Sequence, residues 1–366
     1  MNAVAVDSDN RAARISGGAR AADVIAMTEP AGLAAVTGSV GAVGMAGLTL
    51  GGGYGPLIGR FGLALDNLVA AEVVLADGRT VLANADNEAE LLWALRGGGG
   101  NFGVVTAMHH RLHDLPSVRS GMLIYPFAEA KAVLECVADI AASMPDELTV
   151  QLGFVGDPSG APVVMIVPTW CGVSERGEPR LAQFLKAGTL LANSVNVMSY
   201  RAALTMFDPY LVSGQRVIMK TCWIPALDSR SIDALIRAME DAVSPGCAIF
   251  THEFKGAASQ VPIETTAFGL RRDHLLIEIL AVFADRPDEL QEQRHQQWVR
   301  AALQDFAAIA LPGGYSNLLA PGDEDRAAKG YGRNADRLSA KWPYDPDSLF
   351  SSVIPLPVAQ VLARAS

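Results

Sequence analysis

Gly44-Met45-Ala46-Gly47-Leu48-Thr49-Leu50-Gly51-Gly52-Gly53-Tyr54-Gly55 closes the stretch of this chain that decides its fold. It belongs to a window, residues 30 to 59, that carries no charged side chain and holds ten of the protein's 35 glycines. A charge-free run of this length first raises a transmembrane helix, because about 20 apolar residues span a bilayer. Pro30, Pro56, the triplet Gly51-Gly52-Gly53 and Gly55 would break such a helix, and no Lys/Arg cluster flanks the run to set its orientation. The window therefore reads as buried irregular backbone, where glycine permits positive φ and close approach to the main chain. Gly38, Gly41, Gly44 and Gly47 recur at every third position ahead of the triplet. Missing Cβ atoms at that density let several backbone N–H groups converge on an anionic or flat polar ligand, and equally let two sheets pack closely. On these residues alone, a cofactor cradle and a packing element both stay open. The spacing Gly51-x-Gly53-x-Gly55 misses the nicotinamide fingerprint G-x-G-x-x-G, and no P-loop sequence occurs.

The surrounding composition is that of a folding chain. Half of the 366 residues are hydrophobic and 19% are charged, which excludes disorder and leaves material for two domains or one large split one. The charge balance is −10 with no basic stripe, which argues against nucleic acid and against an anionic membrane surface as partners. Cys136, Cys171, Cys222 and Cys247 lie far apart without C-x-x-C spacing, and no secretory signal opens the chain, so reduced thiols in a cytoplasmic protein are expected.

Upstream of the window, residues 3–6 and 12–15 read as short strands and 19–27 as a helix ended by Pro30. Downstream, residues 68–76 and 80–82 read as strands around an Asp77-Gly78 turn. A helix is expected over 87–95 and a long strand over 102–112, and Pro116 closes this region. Residues 120–311 then mix strand candidates (122–127, 149–155, 163–170, 216–223, 248–254, 274–283) with helix candidates (128–143, 179–186, 229–242, 287–308). Parallel crossovers and an antiparallel sheet covered by helices both fit that order. The tail, 312–357, is rich in turn residues and aromatics and must pack on something else.

Residues 37–112 carry a resemblance. Thr37-Gly38, the quoted stretch 44–55, Gly62-Leu63-Ala64-Leu65-Asp66-Asn67-Leu68 and the run from Trp93 through Arg96-Gly97-Gly98-Gly99-Gly100-Asn101-Phe102-Gly103-Val104-Val105 closely resemble the berberine-bridge-enzyme branch of FAD-linked oxidases. That branch lies within the vanillyl-alcohol-oxidase/p-cresol-methylhydroxylase (PCMH) superfamily. The tail resembles the same branch independently, through Tyr315-Ser316-Asn317, Tyr331 to Leu338, Lys341, Tyr344-Asp345-Pro346 and Leu349-Phe350. Between them the likeness thins to Tyr200, Phe207-Asp208 and Thr266-Ala267-Phe268.

The resemblance implies an α+β fold: a PCMH-type FAD-binding domain, incomplete at its N-terminus, over 1–116; an inserted substrate domain, an antiparallel sheet covered by helices, over 117–311; and a C-terminal segment, 312–366, packing back on the first domain. It implies that Gly38, Gly41, Gly44, Met45, Gly47, Leu48, Gly51, Gly52, Tyr54, Gly103 and Val105 line the FAD, with Tyr315 and Asn317 returning to the flavin ring. Related enzymes take a hydride from an alcohol, amine or sugar carbon onto flavin N5, and dioxygen reoxidises the flavin to give hydrogen peroxide. By position Tyr315 is the candidate base. A phenol of pKa ~10 needs a neighbouring positive charge or hydrogen-bond donor for that work, and an ordinary buried Tyr is the competing reading.

Departures are also visible. The family's upstream segment, with an Arg-x-Gly-Gly-His loop whose His bonds the flavin, has no equivalent, and the first histidine here is His109. The second, cysteinyl anchor falls at Val40, so FAD bound without a covalent link is expected. The frequent His-Arg pair after Thr-Ala-Phe is Leu270-Arg271. The reading is thus an FAD-dependent oxidase acting on a small molecule in secondary or catabolic metabolism, and the alternative is a non-catalytic remnant that binds FAD weakly or not at all. Two further groups stand out. His109, His110 and His113 share one strand without matching carboxylate or Cys spacing, which argues against a metal. His252 and Glu253 sit on opposite faces of a strand, so one of them could serve a substrate cavity as acid or base or form a structural ion pair. No G-x-S-x-G elbow supports hydrolysis.

Overall fold

The structure is a computed structural model, and it describes residues 1–210, 214–283, 288–320, 322–339, 344–350 and 356. Two antiparallel sheets carry it. The first orders Val4–Asp7, Ala12–Ser16, Val104–Asp114, Leu68–Val74 and Thr80–Ala83, with Leu33–Ala35 also paired to Val104–Asp114. Val104–Asp114 is its spine because Val105, Ala107, Met108, His110 and Leu112 turn inward while Val104, Arg111 and Asp114 stay in water.

Among the described residues the second sheet has nine strands. Its main order is Ala192–Asn193, Leu123–Pro126, Pro162–Trp170, Leu148–Gly156, Cys247–Phe254, His274–Phe283 and Arg216–Ile224. Every pairing is antiparallel, which decides between the two arrangements the sequence allows. Helices Ala130–Ala141, Ser229–Glu240 and Glu289–Asp305 cover one face, burying Val133, Leu235 and Trp298 against Leu152, Ile249 and Ile279. Asp228 and Asp288 start two of these helices by accepting from the N–H groups of Ser231 and Gln291. The opposite face, with Phe250, His252, Phe254, Leu276, Glu278 and Trp223, turns toward the glycine-rich stretch: Phe254, Leu276 and Trp223 share a core with Tyr54, Leu63 and Tyr315. The tail closes the assembly, since Tyr331, Leu338 and Leu356 are buried beside Leu50, Trp93 and Phe102.

Several elements differ from the sequence expectation, three of them instructively. The glycine-rich stretch contains a helix, Met45–Gly51, where irregular backbone is expected; its two internal glycines, Gly47 and Gly51, are outweighed by the burial of Met45, Thr49 and Leu50. Leu33–Ala35, too short to show a period, is a strand. The helix expected over 179–186 is Ser174–Leu181 followed by a 3-10 turn at Phe184–Lys186, because Pro179 is accommodated inside it. Lys341 lies outside the described residues. No helix among the described residues is long and apolar enough to cross a membrane. The four cysteines are free, and burial pushes Cys171 and Cys222 up to about 12.

Candidate functional site

The helix Met45–Gly51 ends on Gly52 (φ +152°) and Gly53 (φ +94°), a turn that side-chain-bearing residues resist. The tail is seated on that turn. A Cβ on Gly51 would stand 2.0 Å from Asn317 Oδ1, and one on Gly52 2.7 Å from the Tyr315 ring, so both positions admit only hydrogen. Asn317 donates from Nδ2 to Leu48 O (3.0 Å) and to the Tyr315 hydroxyl (2.8 Å), and Gly53 N–H donates to the same hydroxyl at 2.8 Å. Residues 262 apart in the chain are thus joined by one phenol. Burial pushes the Tyr315 pKa up, opposed by those two donors.

Tyr54 continues the cluster. Its ring centroid lies 4.8 Å from that of Tyr315, and its hydroxyl is 2.7 Å from His274 Nε2. Burial lowers His274 to about 3 and holds Tyr54 protonated, so Tyr54 donates to Nε2 while Nδ1–H donates to Arg272 O at 2.7 Å. Nearby, Arg271 donates twice to Asp66, at 2.7 and 2.9 Å, and also to Thr266 Oγ1 and Ala258 O. With side-chain exposures of 2% and 9%, this pair is a buried link between the two sheets.

The other expected site residues divide into two groups. A Cβ on Gly38 would collide with Leu48 and one on Gly103 with Val73 and the Val74 carbonyl, while one on Gly41 would stand in tight contact, 3.3 Å from the Ala22 methyl. Met45 is fully buried, Leu48 half-buried, and Val105 9% exposed. Gly44 and Gly47 differ: both are exposed, and a Cβ on either would meet nothing within 4 Å. Val43 and Val104 are 40% and 53% exposed. The loop at 17–19 stitches the two together, since Gly17 N–H bonds Thr106 O and Met45 N–H bonds Ala19 O. Gly44 and Gly47 thus leave backbone open to contact by a flat ligand, so the residues present fit FAD. Gly44 and Gly47 are the ones that would hold it.

On the second sheet His252 and Glu253 separate. His252 Nε2 pairs with Glu278 Oε2 at 3.0 Å on the face turned toward the glycine-rich stretch. Glu253 turns into a gap between strands and accepts from Val150 N–H at 2.6 Å, where burial pushes it up to about 7. Glu278 was not anticipated; its signal is a lone carboxylate in the otherwise apolar strand His274–Phe283. His109 bonds Glu72 (3.3 Å), and His113 bonds Asn67 (2.7 Å) and stacks on Phe61. His110 is buried without a partner.

The chain is similar to known FAD-linked proteins. A family described as FAD binding domain matches residues 1–84. The FAD-linked oxidoreductase aurO of Gibberella zeae is 29% identical over 358 residues, covering 95% of this chain and 69% of that protein. (R)-6-hydroxynicotine oxidase of Paenarthrobacter nicotinovorans is 35% identical over 204 residues, covering 55% of this chain and 44% of its own length. Among solved structures, 6-hydroxy-D-nicotine oxidase from Arthrobacter nicotinovorans superposes with a TM-score of 0.85 at 26% identity, over 98% of this chain and 81% of that one. Berberine bridge enzyme from Eschscholzia californica superposes with a TM-score of 0.85 at 20% identity, over 98% and 79%, a likeness of fold. Relatives named as oxidoreductases and oxidases favour an enzyme over a non-catalytic remnant.

Proposed function

We propose that this chain, which belongs to the berberine-bridge-like FAD-linked oxidoreductases of PCMH type, oxidises a carbon of a small alcohol, sugar or amine and hands the electrons to dioxygen. The observation that carries this reading is the open face at Gly44 and Gly47 beside the tail seated on Gly51 and Gly52. Bound FAD supplies the hydride acceptor and the route to hydrogen peroxide. The first sheet, with the tail, holds the cofactor without a covalent bond, and the second presents its His252–Glu278 face to the substrate. Tyr315 handles the substrate proton: its hydroxyl accepts from Gly53 and Asn317, which stabilises the phenolate against the upward push of burial.

The test begins with the purified chain and FAD. A yellow protein is expected, whose colour passes into the supernatant on acid precipitation and which makes hydrogen peroxide with a suitable substrate. A chain that stays colourless after incubation with FAD overturns the reading. Tyr315→Phe is expected to slow turnover and remove its rise with pH; unchanged turnover excludes Tyr315 from the proton step.

A further inference from the structure

The strands Leu148–Gly156 and Cys247–Phe254 are neighbours in the second sheet, yet their ladder holds only Ile249 opposite Phe154 and Phe250 opposite Gly153. Past that point side chains replace backbone as acceptors: Thr251 Oγ1 takes the Leu152 N–H at 3.1 Å, and Glu253 Oε2 takes the Val150 N–H at 2.6 Å. The substitution opens a cavity of about 30 Å³, bounded by Glu253, Thr149, Gln151, Thr169, Ser39 and Gly55. That volume admits one or two waters or a single ammonium-sized group.

Its chemistry is one-sided. Thr149 is 6% exposed, and its hydroxyl has no hydrogen-bond partner. The Ser120 and Thr169 hydroxyls bond each other at 2.8 Å. No Lys or Arg is among the described lining residues, and His252, also at the wall, is already paired with Glu278. Lys255 and Asp273 are the other charged groups whose fields reach Glu253, and they act with opposite signs. A half-buried carboxyl with one oxygen held by the Val150 N–H thus shares a cavity with an unpartnered hydroxyl, with no Lys or Arg among the described lining residues. Burying such groups is costly unless a partner completes them.

We infer that this gap is a binding site for a small hydrogen-bonding cation, an ammonium ion or the head of a primary amine, with Glu253 as its counter-ion and the Thr149 hydroxyl as a second acceptor. The site borders the glycine-rich stretch at Ser39 and Gly55 and the substrate-facing side of the sheet at His252, and needs no flavin to be filled. An ammonium group has hydrogens to give to both acceptors, whereas a potassium ion of similar size has none. Glu253 is pushed up to about 7, so filling the site near neutral pH drives its proton into solvent.

The experiment titrates the full chain with ammonium chloride, methylammonium chloride and potassium chloride at matched ionic strength, following melting temperature and calorimetric heat. Saturable stabilisation by ammonium, with proton release near pH 7, is expected. Methylammonium binding as well identifies an amine head as the occupant, and ammonium alone identifies the free ion; both outcomes support the site. Glu253→Gln keeps an acceptor for Val150 N–H and is expected to weaken binding at least tenfold, and Thr149→Val several-fold, with folding checked by circular dichroism. No saturable response, an equal response to potassium, or undiminished affinity in Glu253→Gln overturns the inference.

Discussion

Glu72 in the first sheet and Glu253 in the second are the same side chain held in opposite ways. Glu72 accepts from Arg14 at 2.7 and 2.8 Å and lies 3.3 Å from His109, and these partners hold it down at about 2. Glu253 has one backbone donor, and burial pushes it up to about 7. The first carboxylate is complete; the second is not. The contrast extends to the sheets around them. The first sheet pairs Arg14 and His109 with Glu72, and Arg11 with Asp114, and the open part of its glycine-rich stretch offers a ligand backbone. The second keeps titratable groups on the side facing the glycine-rich stretch, which is where proton transfer and charge recognition need them.

The largest test of this division cuts the link between the halves. Arg271→Met leaves Asp66 buried without its cation and is expected to lower unfolding free energy by about 3–5 kcal/mol in urea titrations. The next sharpens the glutamate contrast. Because the folded pKa of Glu253 lies above the ordinary 4.5, the native state holds a proton that the unfolded chain releases. Stability is therefore expected to fall as pH rises from about 4.5 to 7, by at most about 3 kcal/mol, and to be flat in this respect in Glu253→Gln. Tyr315→Phe strands the Gly53 N–H and is expected to cost about 1–3 kcal/mol in the same titrations, with weaker flavin retention on gel filtration. Smallest is Glu72→Gln. Glu72 contributes stability that is present above 4.5 and lost as pH falls toward 2, and screening by water keeps it below about 1 kcal/mol. If Glu72→Gln and Glu253→Gln shift the pH dependence in the same direction, the contrast between the sheets fails.

Much of this was legible in the residues. Alternation placed most of the strands of both sheets within two residues of their observed limits, since those strands bury one face. The helix Met45–Gly51 was hidden because its glycines argue against helix, while the burial that favours it depends on distant partners such as Ala64 and Ala267. The roles of Arg271 and Asp66 were equally hidden, because two charges 205 positions apart carry no local sign of their meeting. Glu253 was singled out as one of two strand neighbours, but its gap was not, since the end of a ladder depends on register that alternation does not encode.

The tail lying on Gly51 and Gly52 also sets a timetable for the cell. The glycine-rich segment leaves the ribosome long before Tyr315 is made, and at translation rates of about 5–20 residues per second the intervening 262 positions take on the order of tens of seconds. During that interval the turn at Gly52 and Gly53 lacks the phenol that receives its N–H. Completion of the nascent protein is thus governed by its slowest contact to become available, and chaperone protection of the early apolar surface is expected to matter most in that interval.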